Sequence, residues 1–265
     1  MDTLNPLAVV TGASSGIGYE LAKQFAAHGF DLIIAAEDDA LDVAAAALTA
    51  QGGRAQAVRT DLTTREGVEK LLRAVTATRR PVAAAALNAG VGRGGPFLET
   101  DLADELEIID LNVTSTVHLA KGLLPGMVED GEGRVLITSS IASTMPGSFQ
   151  AVYNASKSFL QSFAQALQNE LKDTGVTVTS LMPGPTETEF FERAGMLDTK
   201  VGRSEKDDPA QVAAQGFEAM MAGRDKVVAG SWKTRAQGLA GRVLPDSVKA
   251  HVHRGMAAPA SGTDG

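Results

Sequence analysis

A short apolar run, Leu7–Thr11, leads into Gly12-Ala13-Ser14-Ser15-Gly16-Ile17-Gly18 and then into a segment of helical periodicity. Three glycines at G-x-x-x-G-x-G spacing, after a strand and before a helix, constrain the fold more than any other feature. They permit a tight turn in which bare backbone approaches a pyrophosphate, and the first helical amides then hold the anion. An ordinary strand-to-helix turn is the competing reading, and the rest of the chain decides between them.

Beyond this turn, strand-like and helix-like segments alternate. Residues 16–28 form a predicted helix ending at Gly29, a glycine suited to the helix terminus. Asp31–Ala36 follows as a strand, then a helix over 39–51 closed by Gly52-Gly53. A strand over 54–59, a helix over 64–78 and the alanine-rich strand Val82–Leu87 come next. A long helix runs from Asp101 to about Leu124 and stops near Pro125-Gly126. Strands over 134–138, 176–181 and 226–229 are separated by helices over 150–173 and 209–222. Continuous apolar strands alternating with helices predict an α/β fold, a doubly wound parallel sheet covered on both faces. No linker divides the chain, so residues 1–255 are expected to be one domain and 256–265 a loose tail.

Composition narrows the partners. The net charge of −8 argues against nucleic acid, which needs a basic surface. There is no cysteine, so disulfides, thiolate metal sites and a cysteine nucleophile are excluded. No carboxylate–histidine cluster has metal spacing. His251 and His253 are two apart and do not share a helix face, while His28 and His118 are ordinary helix residues. No apolar stretch is long enough to span a membrane, and residues 1–6 lack the parts of a signal peptide. The expectation is a cytoplasmic enzyme or binding protein.

Tyr153 and Lys157 are four apart, with Ser140 thirteen positions upstream. On a helix the pair shares one face, where a lysine charge would lower the phenol pKa toward the range of a useful base. Tyr and Lys at this spacing also occur on many solvated helix faces. Glu37 stands at the end of the second strand, nineteen residues past Gly18. An acid there can bind the ribose 2′-hydroxyl of NAD and repel the 2′-phosphate of NADP. Equally, it could be a solvated carboxylate at a helix start, because Asp38 and Asp39 follow.

With these motifs in order, the chain resembles the short-chain dehydrogenase/reductase family from about Leu7 to Gly230. The resemblance implies a single-domain Rossmann-type fold with a seven-stranded sheet. It implies that Gly12, Ser14, Ser15, Gly16, Ile17 and Gly18 bind the cofactor pyrophosphate. Asp61 and Leu62 would contact adenine, and Asn88, Ala89 and Gly90 would support the central strand beside the adenosine ribose. Asn112, Ser140, Tyr153 and Lys157 would form the catalytic tetrad. Tyr153 would be the general acid/base, with Ser140 on the substrate oxygen. Lys157 would also bind the nicotinamide ribose, and Asn112 would hold a relay water. Pro183, Gly184, Thr186 and Thr188 match the segment after the sixth strand, with Thr188 on the nicotinamide carboxamide. Leu87 replaces one asparagine common in the family, and Glu37 stands where NADP-preferring members often carry arginine.

The implied activity is hydride transfer between NAD, with NADP less favoured, and a secondary alcohol or ketone. A flap over about 184–205 contains Phe190, Phe191, Met196 and Leu197, with Met145 and Phe149 on the opposite wall. These side chains either line an apolar pocket or pack the flap against the body. The resemblance further implies a homotetramer or homodimer through the helices at 101–124 and 150–173. Competing readings are a reductase of carrier-linked 3-oxoacyl groups and a non-catalytic dinucleotide sensor. The first would favour NADPH and a basic docking patch; the second usually lacks the tyrosine or lysine that this chain retains.

Overall fold

The computed structural model describes residues 4–51, 53–232, 234 and 245–258. The central sheet contains β1 (Leu7–Thr11), β2 (Asp31–Ala36), β3 (Ala55–Arg59), β4 (Val82–Leu87), β5 (Gly133–Thr138), β6 (Val176–Pro183) and β7 (Lys226–Ala229). All seven strands are parallel, in the order β3-β2-β1-β4-β5-β6-β7. The strand order reverses between β1 and β4, which opens a crevice at their carboxyl ends.

Strand periodicity builds the two faces. Ala8, Val10, Leu32, Ile34, Ala84 and Ala86 enter one core, and Leu7, Val9, Ile33, Ala35, Ala85 and Leu87 enter the other. The first core is closed by α1 (Gly16–Ala27), α2 (Ala40–Thr49) and α9 (Pro209–Met221), through residues such as Phe25, Leu41 and Phe217. The second is closed by α3 (Arg65–Ala77), α5 (Ser115–Asp130) and α6 (Ala151–Glu170), through Leu71, Leu119 and Leu160. Alanine is a poor strand former, yet β4 is a central strand. Its small side chains are buried on both faces, so packing overrides local preference.

The long helix differs from expectation twice. Between α4 (Leu102–Ile108) and α5 lies a π-helical segment, Ile109–Thr114, which contains Asn112. Pro125 does not end the helix, which runs on to Asp130 and closes at Gly131 with φ 69°. Proline removes one hydrogen bond, but Leu123, Leu124 and Met127 around it are buried, and their packing carries the helix through. The strand read as ending at Leu181 extends to Pro183, because Met182 and Pro183 pair with Val228 and Ala229.

The flap contains two short helices, α7 (Phe190–Arg193) and α8 (Lys200–Arg203). The expected tail begins too early: Met256 and Ala257 belong to α10 (Asp246–Ala257), and Ala257 is buried against Phe191, Ala194 and Met196. That helix was not read from sequence because it packs on the flap rather than on the sheet. Gly52 and the tail residues 259–265 lie outside the described residues. Among the described residues, no helix is long and apolar enough to cross a membrane, and no group of metal-ligating side chains occurs.

Candidate active site

One cleft of about 620 Å³ opens at the carboxyl ends of the strands. It runs from the glycine turn past β4 and β5 to the flap, and all the expected site residues line it except Asn112.

The glycine turn is a cradle that side chains would fill. Gly12 and Gly16 have φ of 65° and 56°, where other residues are strained. A Cβ on Gly18 would lie 2.0 Å from the Gly12 carbonyl oxygen, and one on Gly16 would lie 3.0 Å from Thr188 Cγ2. Ser15 is the N-cap of α1, but its hydroxyl makes no capping hydrogen bond, so the first-turn amides remain for an anion. Ser14 Oγ donates to Asp38 Oδ2 at 2.8 Å, tying the turn to the end of β2. The carboxylate oriented toward the turn is therefore Asp38, while Glu37 is exposed at the cleft edge. Asp61 Oδ1 accepts from the backbone N–H of Thr63, and Leu62 is buried beneath it. These residues fit a dinucleotide: a bare anion cradle at a helix start, followed by a polar and apolar trough.

Asn88 holds the centre of the sheet. Its Nδ2 donates to Thr11 O at 3.2 Å, and its Oδ1 accepts from Thr138 Oγ1 at 3.0 Å. Thr11 Oγ1 in turn accepts from the N–H groups of Asn88 and Ala89. The three strand ends that floor the cleft are thereby locked together.

At the other end of the cleft, the expected tetrad converges. Tyr153, from α6, is partly exposed, and its ring lies 5.2 Å from that of Phe190 on the flap. Ser140, just past β5, is buried; its hydroxyl accepts from Ala142 N–H and donates to Pro183 O. Burial pushes the Tyr153 phenol up to about 12, and the neighbouring Ser140 hydroxyl opposes that rise. Lys157 is buried, which lowers its ammonium to about 8. Its Nζ donates to Thr138 O at 3.0 Å and lies 5.8 Å from the Tyr153 ring centre. Burial dominates both shifts, and the neighbour that works against it at Tyr153 is Ser140.

Asn112 is fully buried behind this site. Its Nδ2 donates to Val91 O at 2.9 Å and to Ser156 Oγ at 3.0 Å, and its Oδ1 accepts from Val91 N–H at 2.9 Å. Gly90 separates it from the lysine: a Cβ there would lie 2.9 Å from Asn112 Oδ1 and 3.2 Å from Lys157 Nζ. Asn112 thus braces the turn after β4, and the π-helical widening brings it into place.

The flap divides its apolar residues. Phe190 faces Tyr153 and the cleft, while Met196 is fully buried and Leu197 is exposed. Met145 lines the opposite wall as expected. Phe149 does not line the cleft; it packs with Phe191 and Met196 and lies under the guanidinium of Arg254. Its φ of 65° explains why: the backbone turns there, and Phe149 O accepts from Gly95 N–H at 2.9 Å.

Sequence reasoning missed two contributors. Arg93 ties the flap to α4, with Nη1 donating to Arg193 O and Nη2 paired with Asp104 at 2.7 Å. The face of α10 carrying Lys249, Val252, His253 and Met256 forms a wall of the cleft. The i, i+3, i+4, i+7 spacing of those four was the available signal.

The model of the family described as short chain dehydrogenase matches residues 6–196. The chain belongs to the short chain dehydrogenase family. A short chain dehydrogenase of Pseudocercospora fijiensis is 34% identical over 186 residues, 69% of this chain and 60% of that protein's length. The chain therefore spans less than two thirds of that relative. Among solved structures, a short chain dehydrogenase/reductase from Burkholderia phymatum in complex with NAD has a TM-score of 0.80 and 26% identity. That alignment covers 91% of this chain and 92% of the other. A short-chain dehydrogenase from Sphingobium yanoikuyae in complex with NADPH has a TM-score of 0.76 and 29% identity, over 89% and 92% of the two chains. A nicotinamide cofactor is common to these two relatives, and the glycine cradle of this short chain dehydrogenase suits one.

Proposed function

We propose that this oxidoreductase transfers a hydride between NAD and a secondary alcohol or ketone, with Tyr153 as the general acid/base. The observation that carries the reading is the meeting of Ser140, Tyr153 and buried Lys157 at one end of a cleft whose other end is a glycine cradle. A bound nicotinamide supplies or accepts the hydride. In reduction, Tyr153 is a neutral phenol at pH 7 and gives its proton to the developing alkoxide, while Ser140 donates a hydrogen bond to the same oxygen. In oxidation, Tyr153 must first lose its proton, and the Ser140 hydroxyl favours that phenolate by turning its proton away from Pro183 O. Asn112 acts by holding the Gly90–Val91 turn beside Lys157, on the path by which a proton reaches solvent. Phe190 covers the phenol and excludes water.

The preference for NAD over NADP is supported by Glu37 and Asp38, which line the cleft at the end of β2 and whose carboxylates would repel a 2′-phosphate. Assembly as a homotetramer or homodimer is part of the same reading. Leu102, Leu106 and Ile109 form an exposed stripe along the long helix, and Phe159 is exposed on α6. A second copy would cover them, and a strict monomer by light scattering would refute this.

The Tyr153→Phe variant tests the central assignment. Turnover of alcohols or ketones is expected to vanish while NAD binding, measured by calorimetry, survives. Retention of most of the activity would overturn the assignment.

A further inference from the structure

The cleft has a second polar face that proton transfer does not use. Gln150 is the N-cap residue of α6, three positions before Tyr153, and its side chain makes no capping hydrogen bond. Only 8% of its surface is exposed, it lines the cleft, and its amide has no hydrogen-bond partner among the described residues. Among the described residues, the sealed polar atoms without a partner are Arg93 Nε, Asn154 Oδ1 and Thr177 Oγ1, and the Gln150 amide is not one of them. The amide therefore reaches accessible space.

His253 faces the same cleft from α10 and is 6% exposed. Its Nδ1 lies 3.0 Å from Ser148 O. A carbonyl only accepts, so Nδ1 carries the proton. Burial holds the ring's pKa below its ordinary value, so the imidazole is neutral at pH 7 and Nε2 is a lone-pair acceptor. Ser148 is two residues from Gln150, so one turn carries both groups.

A donor and an acceptor that line one cleft and are carried by the turn at Ser148, both over nine-tenths buried, are complementary to a hydroxyl. The hydroxyl oxygen accepts from the Gln150 amide N–H, and its proton goes to His253 Nε2. A methyl in its place would leave both groups unpaired. We propose that Gln150 and His253 form a subsite for a hydroxyl on the substrate, so that the enzyme selects hydroxyketones and the corresponding diols over plain ketones and alcohols. This rests on reading the cleft as a Tyr153-dependent oxidoreductase.

The test compares isosteric ketones, 4-hydroxy-2-butanone and 2-pentanone, with the full chain and NADH. The hydroxyketone is expected to have kcat/KM at least ~10-fold higher, since a site built around a hydroxyl rejects the analogue without it. Gln150→Leu and His253→Asn should each bring that ratio toward one. Asparagine keeps an amide N–H for Ser148 O but lacks the distal acceptor. A wild-type ratio near one, or a ratio unchanged in both variants, overturns the subsite. If neither ketone turns over, both are titrated calorimetrically into the wild-type NADH complex, and equal affinities overturn it as well. Tyr153→Phe, run in parallel, separates the failures. Turnover lost in that variant with a wild-type ratio of one rejects the subsite alone, whereas turnover surviving rejects the oxidoreductase reading.

Discussion

Lys157 Nζ lies 5.8 Å from the centre of the Tyr153 ring and donates to the carbonyl of Thr138 at 3.0 Å. The amine is buried and its pKa falls to about 8, so its charge opposes folding. Between pH 8 and 10.5 the unfolded chain binds the lysine proton and the folded chain does not, so stability rises with pH across that window. Lys157→Met should remove this rise. At pH 7 it should stabilise the cofactor-free protein by about 1–3 kcal/mol, because an apolar side chain replaces a buried cation. The same change should lower kcat/KM by at least ~10²-fold. Thermal melting and steady-state kinetics on one preparation check both; a destabilised variant would refute the account of Lys157.

The proposed preference for NAD rests on the carboxylates at the end of β2. NAD should be preferred over NADP by at least ~10-fold in kcat/KM, a difference of ~1.4 kcal/mol. Glu37→Arg should narrow or reverse that preference. An NADP-preferring wild type would refute the role given to Glu37 and Asp38.

The glycine cradle predicts a contrast between two alanine substitutions. In Gly18→Ala the new Cβ meets the Gly12 carbonyl at 2.0 Å and Asn88 Nδ2 at 2.6 Å. Overpacking of this kind costs about 1–3 kcal/mol, and NAD affinity should fall with it. Gly126 is helical, and a Cβ there meets nothing within 4 Å. Gly126→Ala should therefore stabilise by about 0.5–1 kcal/mol without altering NAD binding. Melting curves with and without NAD distinguish the two.

Asp31 opens β2 and accepts from Arg80 Nη1 at 2.8 Å, from Asn5 Nδ2 at 3.2 Å and from Arg54 N–H at 3.4 Å. Burial works against its charge, but these donors together hold the carboxyl below its ordinary 3.8. A depressed carboxyl pKa contributes stability that is present above 3.8 and fades as pH falls through the folded value. Arg80→Ala should cost about 1.5–3 kcal/mol at pH 7. The difference from wild type should shrink on acidification below 3.8, as followed by denaturant titration.

Most of the sheet was legible because its signals are local and periodic. β2, β4 and β7 fall within the residues read from the chain, since each is a short apolar run bounded by turn residues. The continuation of α5 through Pro125 was not legible, because the packing of Leu123, Leu124 and Met127 outweighs a proline signal. Phe149 and Phe190 looked alike in sequence, yet only Phe190 reaches the cleft. What separates them is a backbone turn at φ 65°, which composition does not encode.

By itself, the sequence determined the alternation of strands and helices and the glycine turn at Gly12–Gly18, and it named Ser140, Tyr153 and Lys157 as candidate proton-transfer groups. The elements and the turn depend on residues within a few positions of one another, so spacing carries them, whereas the candidate groups came from the joint order of the motifs along the chain. Only the tertiary structure decided which carboxylate meets the glycine turn, where the charge of Lys157 is directed, and that α10 walls the cleft with His253. These depend on burial and on contacts between distant segments, such as Ser14 with Asp38 and Ser148 with His253. Desolvation and long-range hydrogen bonding are set by the assembled fold.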